Sequence, residues 1–298
     1  MDAVERGEAT LDPERSSQLP DGMRRRLGAM RVAGEPVPLV EVARRLLALA
    51  GPPAAGVARR LVAGVLGARP ETLPESLGPR ELRPAEESAV AATPLARACF
   101  TVVDLETTGL SSSRDAIIEI GAVRIENLRV ASRFETLVRP PGPGPLSAAI
   151  VGLTGIDDAL LAPAPPAHRA LASFAHWLAD ARNAPWVAHN ARFDSSFLRR
   201  AFEVQWGRAP AVAVLCTQRL ARRLLPRLGR YDLDHVCAQF GIPNRARHRA
   251  LGDADATARV WIELLRLAGA RGVGTVGELL DLQEQPTRRR RRSRKRAR

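Results

Sequence analysis

At 298 residues the chain holds one large domain, or one medium domain with appendages. Its hydrophobic content of 45% supplies a core and excludes a wholly disordered chain. Three scattered cysteines, Cys99, Cys216 and Cys237, exclude a disulfide framework and a cysteine zinc site. The net charge of +13 is unevenly placed: nine positive charges crowd the last eleven residues, and removing those nine leaves about +4, which excludes a strongly basic folded body.

Residues 1–35 are polar and without periodicity, and read as a disordered N-terminus that lacks a signal-peptide core. Residues 36–67 read as a small helical module of two amphipathic helices broken at Gly51-Pro52-Pro53. Leu39, Val42, Leu46 and Leu49 recur at helical spacing, as do Val57, Leu61, Val65 and Leu66. A packing cap or dimerisation hairpin is the plainer reading of this module; a helix-turn-helix reader of DNA is the alternative. Residues 68–97, rich in Pro and Glu, read as a linker.

From Cys99 the pattern changes. CFTVVDLE, AIIEIGAVRIEN (116–127) and RVASRFETLVRP (129–140) read as three strands, the last two joined at Asn127-Leu128 as a hairpin. A loop, PPGPGP, precedes a helix over 167–182. PWVAH (185–189) reads as a short buried strand, 190–206 as a helix with Asn190 at its N-cap, and AVAVLCT (211–217) as another strand. Helices follow over 217–225, 232–240 and 249–268. Three meandering strands and then alternating elements describe a mixed α/β domain over 98–270. A C-terminal helix within 271–285 precedes a basic disordered tail, 286–298. No uncharged apolar run reaches membrane-spanning length, so a cytoplasmic protein without membrane contact is expected.

In TVVDLETTGL, Asp104 and Glu106 end an apolar strand and point to one face, because strand side chains alternate. Two like charges side by side repel unless a cation lies between them, so the stretch asks for a metal ion. Asp194, in VAHNARFDSSFL, falls in the first turn of a helix; alone it reads as a residue that stabilises the helix dipole. His248 precedes Asp253 by five residues, a step of about 140° beyond a full helical circle. The two converge only if His248 sits in the loop before the helix. Asp232, Asp234 and Asp255 read as ordinary helix residues. Four carboxylates without a Cys or His cluster suit Mg²⁺ or Mn²⁺.

DLETTGL…IIEIGAV, AHNARFD and HRALGDADAT resemble, in order and spacing, the three motifs of the DEDDh exonucleases. That family includes the epsilon subunit of bacterial DNA polymerase III and the exonuclease domain of PolC-type polymerases. LTGI (153–156) also matches a loop typical of the family, and the resemblance covers 98–268. It implies an α/β, ribonuclease H-like fold, a mixed five-stranded sheet flanked by helices. It makes Asp104, Glu106, Asp194 and Asp253 metal ligands and His248 the general base. It also implies that Thr107, Thr108, Gly109 and Leu110 face the terminal nucleotide, with Asn190 and Phe193 as further substrate contacts. Phe193 reads equally well as a core residue one turn before Phe197.

Two ions about 3.5–4 Å apart would clamp an in-line displacement at phosphorus. Asp104, Asp194 and Asp253 would hold the first ion with its water, with Glu106 holding that ion or orienting the water, and Asp104 would bridge to the second. His248 would take the water's proton. The expected activity is 3′-to-5′ release of nucleoside 5′-monophosphates from single-stranded DNA or DNA 3′ ends, in replication proofreading or repair beside a polymerase or repair complex. RNA ends are the alternative substrate, and a non-catalytic nucleic-acid-binding adaptor is the alternative of another class. The arginine tail reads as a nucleic-acid tether, with a solvated functionless tail as the plainer reading. No clamp-binding peptide stands out, though QEQPT, beginning at Gln283, is expected to lie in an exposed place.

Overall fold

Leu27, Met30, Leu39, Val42, Leu46, Val62 and Leu66 are shut away from water in one apolar cluster. The elements that bring them together are α1 (Asp21–Ala33), β1 (Val37–Pro38), α2 (Leu39–Leu47), α3 (Ala55–Leu66) and β2 (Ser76–Leu77). The computed structural model describes residues 20–33, 35–66, 69–78, 90–142, 144–181, 183–244 and 246–285. The readings for 1–19, for 79–89 of the linker and for the arginine tail lie outside the described residues. The two helices expected within 36–67 are α2 and α3, and α2 ends at Ala48 in the left-handed conformation.

Two expectations fail here. Residues 21–33 are helical rather than disordered, because Leu27 and Met30 share a face that packs on α2 and α3. Residues 76–77 are a strand rather than linker: Val37 pairs with Leu77 and Pro38 with Ser76. At the other side of α1, Arg31 Nε donates to Asp281 Oδ1 at 3.2 Å, which ties the module to the C-terminal helix.

The larger unit is a five-stranded sheet of order β5-β4-β3-β6-β7: β3 (Phe100–Thr107), β4 (Ile117–Glu126), β5 (Arg129–Leu137), β6 (Trp186–Ala188) and β7 (Val214–Cys216). β3 runs antiparallel to β4 and parallel to β6. The β4–β5 hairpin turns at Asn127 and Leu128, both at positive φ (51° and 59°), as a two-residue turn matched to strand twist requires. After β5 come α4 (Ala148–Thr154) and α5 (Asp158–Leu161), where only loop was expected. Leu153 and Thr154 of LTGI therefore close a helix, capped by Gly155 at φ 69°. Then follow α6 (Ala167–Leu178), α7 (Ala191–Trp206), α8 (Thr217–Leu224), α9 (Leu233–Gln239), α10 (Ala250–Gly269) and α11 (Val276–Glu284).

Alternation along β3 feeds two cores. Phe100 and Val102 face α10, where Phe100 meets Trp261 edge-on at 5.2 Å. Val103 and Leu105 face α6 and α7 and join Phe174, Trp186 and Phe197. Burying each such side chain contributes about 1.5–3 kcal/mol. The open edge of β7 is met by α11: Gln283 Oε1 accepts from Cys216 N–H at 2.9 Å, and Gln283 Nε2 donates to Val214 O at 2.9 Å. Gln283 is thus 3% exposed, and the exposed place expected for it does not exist.

Candidate active site

Asp104 and Glu106 lie on the α10 face of β3, at the end where its chain leaves the sheet. The β3–β4 register shifts between Glu106 and Thr107, an irregularity of the kind that re-aims side chains beside active sites. Opposite Asp104 stands Gly121. A Cβ there would lie 2.1 Å from the carbonyl carbon of Ala250, so glycine is what lets the first turn of α10 rest on the sheet.

That turn delivers Asp253. His248 lies in the loop before α10 with φ 58°, and its backbone N–H donates to Asp253 Oδ2 at 2.8 Å. Asn244 Nδ2 donates to the other oxygen, Oδ1, at 2.7 Å. Gly252 leaves room for this loop, because a Cβ there would lie 2.2 Å from Ala246 O. One ligand atom from each of Glu106, His248 and Asp253 lies within 4.8 Å of the other two.

Asp194 arrives from the opposite side of β3. Helix α7 follows β6 through Asn190, which sits at φ 67°, ψ 47° and makes no side-chain cap bond. Asn190 stands at the N-cap as expected, but left-handed and without a side-chain cap bond, so it makes the sharp strand-to-helix corner that asparagine tolerates. Asp194, 3% exposed, accepts from its own backbone N–H and from that of Leu105. His189 holds the corner from behind, with Nδ1 at 2.9 Å from Thr217 Oγ1 and Nε2 at 2.9 Å from Tyr231 O. The carbonyl can only accept, so Nε2 carries the proton and Nδ1 accepts from Thr217. Burial keeps this imidazole below its ordinary pKa, in the neutral state.

The electrostatics express crowding. Burial, followed by the charges of Asp194, Asp253, Glu106 and Glu119, holds Asp104 well above the carboxylate range. Burial also raises Asp194, against the two backbone donors. Glu106 is pushed up to about 7 by burial and then by Asp253 and Glu119, with Arg249 pulling the other way. Carboxyls packed this way are stable either protonated or around cations. Oxygen donors with one imidazole fit hard divalent ions, so the residues present fit a metal group.

The remaining candidates are less uniform. The Thr107 hydroxyl donates to Gly109 O at 2.6 Å, and Thr108 Oγ1 accepts from Ala116 N–H at 2.9 Å, so both side chains serve the turn. Gly109 lies against the Asp115 carboxylate. Leu110 is 88% exposed. Phe193 is partly buried and packs on Phe197 at 4.9 Å, as the core reading has it. Asp232 caps α9, and Asp255 pairs with Arg133 and Arg259, as ordinary helix residues do.

Sequence reasoning missed Glu119 and Arg249. Glu119, 0% exposed, accepts from Arg249 Nη2 at 2.6 Å, Arg249 Nε at 3.0 Å and Ala250 N–H at 2.7 Å. A signal was present: a charged residue inside IIEIGAV, at a position whose neighbours i±2 are apolar or glycine.

A buried set of acids at the ends of β3, α7 and α10 on a mixed sheet defines a nuclease of the ribonuclease H-like fold. Exonuclease X, in complex with 5′ overhanging duplex DNA, matches with a TM-score of 0.50 and 26% identity over 62% of this chain and 99% of that one. Exonuclease I of E. coli, in complex with a dT13 oligonucleotide, matches with a TM-score of 0.51 over 59% of this chain and 43% of that one; at 18% identity this is likeness of fold alone. The profile of the RNase_T family, described as exonuclease, matches residues 101–261, and the chain belongs to that family. Within that family its matched region is similar to the corresponding part of PolC-type DNA polymerases III. The PolC-type DNA polymerase III of Caldanaerobacter subterraneus subsp. tengcongensis is 40% identical over 180 residues, and that of Bacillus subtilis 37% over 184. Each match covers 60% of this chain, which spans only 12% of the length of these curated relatives. The family is metal-dependent. Among the described residues no helix is long and apolar enough to cross a membrane.

Proposed function

We propose that this chain hydrolyses DNA from its 3′ end, releasing nucleoside 5′-monophosphates, and serves proofreading or repair beside a polymerase. The observation that carries the reading is the approach of Glu106, His248 and Asp253 to within 4.8 Å, with Asp104 and Asp194 electrostatically crowded against them. Asp104, Glu106, Asp194 and Asp253 are the residues that would hold two Mg²⁺ or Mn²⁺ ions. Such ions, when bound, supply Lewis-acid charge at phosphoryl oxygens and lower the pKa of water.

The chain's own groups do the rest. A ring nitrogen of His248 accepts the proton of the attacking water and returns it to solvent, which an imidazole does well near neutral pH. Water adds at phosphorus, the bond to the 3′ oxygen breaks, and that oxygen takes up a proton. Leu110 is the exposed apolar side chain available to the terminal base, and the Gly109 turn bounds it. We also assign residues 98–270 to catalysis and residues 20–78 to a separate accessory module, whose core is its own.

The test is an end-labelled single strand with Mg²⁺, in parallel DNA and RNA forms. Mononucleotide release from DNA is expected, and Asp104→Ala should lower it by at least about a thousandfold. Undiminished release by that variant, or release from RNA alone, would overturn the reading.

A further inference from the structure

Glu119 is a carboxylate buried with no exposure, across the strand pair from Glu106. Burying a carboxylate is costly even when it is paired. A buried charge in an unfavourable place persists only where something depends on it. What depends on it here is the chain on either side of the His248 turn. Glu119 takes both forks of the Arg249 guanidinium and the N–H of Ala250, the first residue of α10. Glu135 lies 3.7 Å from the same guanidinium and adds a weaker second anchor.

His248 itself is in a left-handed conformation, which a non-glycine residue holds only at a cost. Strained backbone of this kind persists when its surroundings over-determine it. On one side Asp253 accepts the His248 N–H. On the other, Glu119 grips the next two residues, and the bare backbone of Gly121 lets them approach the sheet. The link crosses 130 residues of sequence and joins the middle of the sheet to the imidazole's own turn.

We propose that Glu119 is a positioning residue: through Arg249 and Ala250 it fixes the turn that aims His248 into the acidic site. The side chain touches no reacting atom in this role. It sets where the base stands, as supporting carboxylates set the orientation of imidazoles in other sites. Arg249 is the near half of the same device, its guanidinium held by both Glu119 oxygens.

Two measurements on the full chain test this. The first uses the metal-free protein and no substrate. In Glu119→Gln the backbone amides of His248 and Ala250 should exchange with solvent at least about tenfold faster, with amides of the Phe100–Trp261 core unchanged. Unchanged protection at both would overturn the proposal. The second is kinetic and rests on the hydrolytic reading. Glu119→Gln should lower kcat by about tenfold to a hundredfold and leave KM within about threefold. Placed on His248→Ala, the same change should cost less than about threefold, because a residue acting through His248 has nothing left to aim. A full additional loss in that background would show a structural role and overturn the inference. Should Glu119→Gln fold poorly, Arg249→Lys and Arg249→Ala serve instead: lysine keeps the charge and should retain part of kcat, and equal activity of both with wild type counts against the proposal. An inactive wild-type chain would sink the hydrolytic reading and leave the exchange result standing.

Discussion

Glu41 and Glu106 are the same side chain in opposite circumstances. Glu41, on α2 of the N-terminal module, accepts from Arg44 at 2.6 Å and Arg45 at 2.5 Å, and those bonds lower it to about 2. Glu106, at the end of β3, is raised to about 7 by burial and by the acids around it. On α2 the module places Glu41, Arg44 and Arg45 together near its surface, buried Arg31 of α1 is paired with Asp281, and the cluster of Leu, Val and Met stays apolar. The end of the central strand β3 gathers like charges out of water. On α2 the paired charges lower one another's ionisation cost, whereas at the end of β3 the like charges raise it, the pattern expected of a functional site.

The sharpest way to break this contrast is Asp194→Asn. It should abolish most turnover, by about a thousandfold, yet raise the melting temperature of the metal-free protein at pH 8, because one repelling carboxyl is gone. A lowered melting temperature would mean that the acids stabilise the fold after all. In the module, Leu46→Ala should cost about 2–5 kcal/mol of that unit's stability, read by denaturant titration, and leave turnover within about twofold. Coupled loss of turnover would dissolve the separation of the two regions.

The pH dependences should carry opposite signs. Glu106, with Asp104 and Asp194, binds its proton more tightly folded than unfolded. Their stabilisation is fully present below the unfolded carboxylate pKa and is lost as pH rises, through about 7 for Glu106 and about 8 for Asp194. Metal-free protein should therefore melt several degrees lower at pH 8 than at pH 5, and saturating Mg²⁺ should reverse the difference. Glu41 behaves conversely, contributing above its unfolded pKa and losing that contribution as pH falls through about 2. Being exposed, it should matter least: Glu41→Gln should move the melting temperature by no more than about a degree.

Most of the sheet was legible because its signals are local. The β-branched run at Val102 and Val103, the Asn127-Leu128 turn and the acids at fixed spacing each carry their meaning within a few residues. The His248 loop was legible too, since helical geometry forbids His248 and Asp253 from sharing a face of one helix. Helix α1 was not: Arg24, Arg25, Arg26 and two glycines outweigh Leu27 and Met30 in any local sum, and the helix forms because α2 and α3 offer those two a dry surface. The left-handed turn of Asn190 at its N-cap and the burial of Gln283 were hidden for a similar reason. A capping asparagine and a corner asparagine look alike in sequence, and so do an exposed glutamine and one aimed at a distant strand. Glu119 meets its partner only after the chain has closed on itself.

Gln283 has a consequence of another kind. Its amide stands where a neighbouring peptide unit would stand, taking the N–H and C=O that the border strand would otherwise offer to any passing chain. A polypeptide cut short before this glutamine would keep every acid of the cleft and lose that stopper. Such a fragment should cling to copies of itself along β7, so insolubility in a trimmed version would reflect an unplugged border and not a damaged cleft.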